Sequence, residues 1–204
     1  MTDIKATRSE LLNLKRKIKL AATGHKLLKK KRDGLILEFF EVLKKARNLR
    51  KEMNERYLEA HNRIRECTAL DGMVSIKSTA LALREKPSID LEVKNIMGVT
   101  VPVIKSGAVR KNMIERGYGV MSTSMRINDM VGSYETLLEN IITAAEIETT
   151  MRKMLKEIES TKRRVNALEF VVIPRLKQQA AFINFRLEEM ERENIFRMKR
   201  LKGE

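Results

Sequence analysis

The sequence predicts a mainly α protein: a long antiparallel two-helix coiled coil from the N- and C-terminal thirds, with a small middle region of short helices and a β-hairpin. Three observations predict it. Apolar residues step by threes and fours through the first third, Leu11, Leu14, Ile18, Ala21, His25, Leu28, Arg32, Leu35, Phe39, Val42, Ala46, Leu49, Met53, and again through the last. That period of 3.5 cannot bury its apolar edge without a partner of comparable length. The middle changes to period two on both sides of Met97-Gly98, which marks a hairpin. Finally, 34% of the residues are charged and 4% aromatic, with nine Gly and three Pro, a balance that favours extended helices over a compact many-turned core. The predicted divisions are 1–67 for the first helix, 68–121 for the middle and 122–204 for the last helix.

The first helix has a start signal in Thr7 with Glu10 three residues on, a capping box, or in Ser9. After Met53 a four-residue step carries the stripe to Tyr57, Ala60 and Ile64, a stutter that locally unwinds a supercoil. Roughly 60 residues at 1.5 Å each give a helix of about 90 Å, ending near Cys67. Gly24 and Gly34 each cost about 1 kcal/mol against Ala. A dozen seam residues, each worth about 1.5–3 kcal/mol on burial, outweigh them.

In the middle, Leu70 to Glu85 reads as a short helix stopped by Pro87. Ile89, Leu91 and Val93 alternate with Asp90, Glu92 and Lys94, and Val99, Val101 and Val103 with Thr100 and Pro102. The hairpin is placed at about 89–104, with Pro102 confining the second strand to an edge. A lone hairpin is marginal in water, so it must dock on the helices or on a partner. Residues 106–119 read as loop with some helical turn, and Ser122, Thr123 and Ser124 offer N-caps for the last helix.

The last helix carries the seam Ile147, Met151, Met154, Ile158, Thr161, Val165, Leu168, Val172. Past Pro174 it resumes one residue out of phase, through Ile173, Leu176, Ala180, Ile183, Leu187, Met190, Asn194 and Leu201. Proline removes a backbone bond from a helix interior and kinks it, so kink and phase shift are expected to share one cause. If both chain ends meet at one tip, paired residue numbers sum to roughly 205. His25 then falls near Gln179, and Arg32 near Ile173 and Glu169. His25 and Arg32 are read as polar seam positions that fix register.

The pattern gives no chemistry. His25 and His61 are the two histidines and lie some ten turns apart on one predicted helix, so neither a metal set nor an activated nucleophile is in place. Gly72-Met-Val-Ser-Ile-Lys77-Ser78 lacks the second glycine and the preceding strand of a phosphate loop. No enzyme activity and no cofactor are expected. Cys67 is a single cysteine, which excludes an intramolecular disulfide and fits a reducing compartment. The start of the chain lacks an apolar leader, and no run approaches 18 apolar residues, so the expectation is a soluble, cytoplasmic protein. The net charge of +15 implies an anionic contact or a solvated basic shaft. A basic coiled-coil nucleic-acid-binding or scaffold protein is the alternative reading. Against nucleic acid stand interleaved carboxylates and scarce aromatics for base stacking.

Both ends together carry a resemblance. Thr7-Arg-Ser-Glu-Leu-Leu12, Leu14-Lys-Arg-Lys17, Gly24-His-Lys-Leu-Leu-Lys29 and Lys31-Arg-Asp33, with Arg163-Arg-Val-Asn-Ala-Leu-Glu169, Ile173-Pro174 and Leu187-Glu-Glu-Met-Glu-Arg-Glu193, are similar to the D subunit of the A-type/V-type rotary ATPases over nearly the whole chain. Ile96-Met97-Gly98-Val99 resembles that family's hairpin. Ala6 stands where members often have Pro before the Thr, which touches only the helix start. The resemblance implies a non-catalytic central-stalk rotor component of a proton- or sodium-translocating complex, peripheral to the membrane. It implies as partners the catalytic A and non-catalytic B subunits of the hexamer, the F subunit alongside, and the C (d) subunit at the stalk base. The residues it marks as rotor or partner contacts are Lys29, Lys31, Arg32, Asp33, Arg163, Arg164, Asn166, Glu189 and Arg192.

Overall fold

A computed structural model describes residues 6–83, 87–119 and 123–203. Helix α1 spans Arg8–Leu70, α2 Gly72–Ala82, β1 Ile89–Ile96, β2 Val99–Ser106, α3 Met125–Ala167 and α4 Ile173–Lys202, with a π-helical turn at Leu168–Val172 between the last two. The fold class is as the two seams and the hairpin require. The chain divides into two units, one of residues up to Ile36 with those from Glu157 on, the other Leu37–Lys156.

In the first unit the beginning of α1 runs antiparallel to the end of α3, the π-turn and α4. Partner numbers fall as α1 rises: Arg8 pairs with Glu191, His25 lies against Glu169 and Lys31 against Glu157. Leu14, Leu35, Thr161, Val165 and Ile183 are buried on the seam. These pairs sum to less than 205, so α1 is displaced along its partner by more than the expected turn. One consequence is that α4 continues past the first turn of α1. Met190, Asn194 and Leu201, expected on the seam, are exposed, and so are Ile195, Phe196 and Met198.

The start of α1 follows its cap. The Thr7 hydroxyl accepts the Glu10 backbone N–H at 3.2 Å, satisfying one of the orphan donors of the first turn. Ser9 lies inside the helix.

In the second unit α1 and α3 are again antiparallel, with Arg50 on Glu148 at 2.7 Å and Arg63 donating to the Asp129 carbonyl at 3.3 Å. Every predicted seam position from Phe39 to Met53 is half-buried, and Ala60 is fully buried. Tyr57 is not on the stripe: it is half exposed and stacks on His61, ring centroids 5.9 Å apart. The stripe passes from Met53 to Ala60 and on to Ile64, which is partly buried against the core. A small core of Cys67, Ile76, Ile127 and Met130 ties α1, α2 and α3 together. Helix α1 ends at Leu70, and α2 begins at Gly72, whose φ of 80° is the left-handed conformation that breaks one helix from the next. The predicted end of the short helix at Glu85 lies outside the described residues. So does Ser122. Ser124 caps α3, its Oγ accepting from the Arg126 N–H at 3.4 Å and its carbonyl from the Ile127 N–H at 3.0 Å.

The hairpin turns through Met97 and Gly98, at φ 49° and 85°, the two positive angles that a two-residue turn of matching twist requires. The Asn95 side-chain oxygen accepts the Gly98 N–H at 2.8 Å. Because the turn has two residues, odd-numbered positions of β1 stand opposite even-numbered ones of β2: Leu91 faces Ile104 and Val93 faces Pro102. The two apolar rows therefore lie on opposite faces of the ribbon. Val99 and Val101 are buried, whereas Ile89, Leu91 and Val93 are exposed. The Ile104 N–H donates to Glu146 of α3 at 3.1 Å, which anchors the ribbon to the helix.

Candidate functional site

The sequence singles out a polar layer on the first unit. His25 occupies a seam position with its side chain 20% exposed, and its Nε2 lies 3.3 Å from a Glu169 carboxylate oxygen. The contact is within ion-pair distance but lacks the alignment of a hydrogen bond, so the buried Nε2 has no bonded partner. Gln179, expected opposite His25, is not its neighbour. Glu169, expected opposite Arg32, takes that place, because the two helices are offset. Arg32 bonds instead to Asp33, from Nε at 3.0 Å and from a terminal nitrogen at 2.8 Å. Lys31 reaches across to Glu157 at 3.4 Å.

The remaining marked residues are placed on the outer faces of the same unit. Lys29, Arg164, Asn166 and Arg192 are exposed. Arg163 bonds Glu159 one turn back, and Arg186 bonds Glu189 at 3.3 Å. The Arg163 hydrogen bond, aided by its charge, holds the Glu159 carboxyl below the usual carboxylate range. Such exposed pairs contribute little to stability. Their effect is to leave charge on the surface in fixed positions.

Glu169 does not sit on an α-helix. It belongs to the π-turn Leu168–Val172, which closes with the Ile173 N–H on the Leu168 carbonyl, and Pro174 stands in the first turn of α4. The expected kink at Pro174 is thus a wider turn immediately before it. In a continuous α-helix the proline ring would clash with the carbonyl four residues back, and a first-turn proline needs no N–H. Leu168 and Ile173 are both half-buried on the seam, a step of five, so the π-turn takes up the one-residue phase shift.

Sequence reasoning missed a buried polar cluster in the second unit. Arg116, 8% exposed, bonds both oxygens of Glu135 on α3, at 3.0 and 2.6 Å, and reaches the Tyr118 hydroxyl and the Asn128 carbonyl, both at 3.3 Å. Burial alone would lower the Arg116 pKa. The hydrogen bonds of Glu135 and Tyr118 and the charge of Glu135 outweigh it and hold the guanidinium above its ordinary value. The only signal is the Gly117-Tyr-Gly119 punctuation, and Gly117 does adopt φ 85°. The Cys67 thiol is pushed up chiefly by burial, then by the charge of Asp71, which keeps it protonated and unreactive. Among the described residues no three His, Cys, Asp or Glu gather to hold a metal ion. Nor is any described helix long and apolar enough to cross a membrane.

The arrangement links the two helices of the first unit through His25–Glu169 and Lys31–Glu157 and leaves the remaining charges on the outer faces. Residues 10–203 match the family model described as the D subunit of ATP synthase. The chain is 57% identical to the A-type ATP synthase D subunit of Methanosarcina mazei over 201 residues, covering 98% of this chain and 96% of that protein. It is 58% identical to the D subunit of Methanococcoides burtonii, covering 98% and 97%. Against that of Archaeoglobus fulgidus it is 50% identical, covering 99% and 97%. The chain belongs to the D-subunit family of the A-type ATP synthases.

Proposed function

We propose that this chain is the central-stalk rotor component of an A-type ATP synthase, non-catalytic itself, transmitting torque between ATP chemistry in a hexamer of A and B subunits and ion translocation in a membrane ring. The observation that carries the reading is the antiparallel pairing of the two ends of a family-matched chain, Arg8 with Glu191 and Lys31 with Glu157. A torque shaft must resist twist and bending. Two helices packed along a continuous seam supply that stiffness, as one helix does not. The charged outer faces suit a wet surface that slides without sticking. The tip made by Thr7–Lys19 and Arg186–Lys202, with Ile195, Phe196, Met198 and Leu201 exposed, is then the part that enters the hexamer, with the marked residues from Lys29 to Asp33 and Arg163 to Asn166 behind it. The F subunit lies alongside, and the C (d) subunit takes the stalk base.

Co-expression with a candidate F subunit, followed by size-exclusion chromatography, is expected to give a stable complex. Truncation after Glu188 is expected to weaken coupling or assembly with the hexamer while nucleotide affinity in the hexamer stays nearly unchanged. Loss of nucleotide binding itself on that truncation would overturn the rotor-only role.

A further inference from the structure

We propose that the free edge of β1 is a strand-docking surface, which takes an extended segment of a neighbouring subunit carrying apolar residues in alternation with Lys or Arg. The ladder itself shows which backbone groups are free. A two-residue turn closes on a bonded pair, here Ile96 with Val99, and bonded pairs recur at every second position. Even-numbered residues of β1 therefore direct their N–H and C=O groups at β2. The same phase continues to the Ser88 carbonyl, which accepts the Gly107 N–H at 3.0 Å. Ile89, Leu91, Val93 and Asn95 point their backbone groups away from β2, and among the described residues nothing bonds them there.

The two edges of the ribbon differ. On β2 the outward positions include Pro102 and Ile104. Pro102 has no N–H to offer, and the Ile104 N–H is taken by Glu146 at 3.1 Å. A proline and a covering group are ordinary guards of an edge strand. β1 has neither. Its outward residues also carry the exposed apolar row, Ile89 at 52%, Leu91 at 69% and Val93 at 74%. Unpaired backbone groups and bare apolar side chains thus belong to the same residues. A helix laid on that row would cover the side chains and leave the edge unpaired. An added strand satisfies both.

Charge defines what the docked strand carries on its other face. There β1 presents Asp90 and Glu92. Lys105 takes Glu92 across the ladder, and Asp90 has no ion pair among the described residues. In a chain of net charge +15 this edge is locally acidic. Lys or Arg beside Asp90 makes an opposite-charge cross-strand pair, on the face away from the apolar row. A second copy of β1 would bring the same two carboxylates.

The test compares amide hydrogen exchange in the isolated full chain and in the assembled ATP synthase. In the isolated chain the Leu91, Val93 and Asn95 amides should exchange freely, while those of Glu92 and Lys94 are protected. In the assembly the first three should slow by about tenfold or more, because each exchanges only when the added strand lifts. Unchanged rates there would overturn the proposal. A photo-cross-linking residue in place of Lys94, exposed on the strand, then identifies the occupant. The expected product is an extended segment of another subunit with Lys or Arg at alternate positions. A helix or a second copy of this chain would overturn it. Leu91→Pro removes an outward N–H without touching a ladder bond, so the Glu92 and Lys94 amides should stay protected. In direct competition that variant should enter the assembly up to about tenfold less well than its parent, the effect of one lost hydrogen bond. Equal incorporation would overturn the docking edge. The rotor reading rests on the pairing of the chain ends, so it stands or fails separately.

Discussion

Arg116 grips Glu135 through two nitrogens, at 3.0 and 2.6 Å, with both side chains largely withdrawn from solvent. One loop residue thereby holds the segment after the hairpin against α3. A buried pair of this kind is costly to break from one side, because the surviving charge is left without water or partner. Glu135→Ala should lower the stability of the protein by about 3–5 kcal/mol in denaturant titration. Replacing both residues, Arg116→Met with Glu135→Leu, should recover most of that loss, since two apolar side chains avoid the desolvation cost. A double variant as unstable as the single one would mean that the cluster is needed for more than mutual charge satisfaction.

Thr161 sits on the seam at 1% exposure with its hydroxyl unbonded. A buried hydroxyl without a partner costs about 1–3 kcal/mol, whereas an apolar group of the same shape costs nothing of the kind. Thr161→Val should therefore raise stability by about 1 kcal/mol and narrow the thermal transition of the first unit without changing its helix content. An unchanged or lower melting temperature would show that the hydroxyl has found water or a carbonyl.

The displacement of the two helices separates seam residues that look alike in sequence. Ile183 is fully buried and Leu201 is 87% exposed. Ile183→Ala should cost about 2–5 kcal/mol, the usual range for emptying a core site. Leu201→Ala should stay within about 0.5 kcal/mol, as surface substitutions do. Equal effects at the two sites in chemical denaturation would restore the expectation that the seam is covered to the end of α4.

The long helices, the hairpin turn and the buried stripe from Leu11 to Met53 are legible in the sequence because periodicity reports which side of an element is covered. The displacement is not. A heptad pattern says that a helix has a partner but not at which offset, and apolar layers repeat every seven residues with little penalty for sliding. A polar layer fixes the offset only when its partner is unique, and for His25 both Gln179 and Glu169 are reasonable on residue type. Register in the ribbon escapes for a different reason. Alternation identifies each strand's apolar row, but only the length of the turn decides whether the two rows share a face. Here Met97-Gly98 puts Leu91 and Val101 on opposite sides. The Arg116 cluster leaves no trace beyond the Gly117-Tyr-Gly119 punctuation, because it joins residues scattered over a loop and a helix, with no spacing that a local pattern can show.

The wide step from Leu168 to Ile173 has an evolutionary consequence. An inserted residue in a paired helix would ordinarily throw everything after it off its partner. The π-turn confines that displacement to five positions, so a one-residue difference in length near Pro174 is compatible with both halves of the seam staying on α1. A chain one residue shorter between Val165 and Leu176 would keep both halves of its seam in step, and a proline there would have no wide turn to follow.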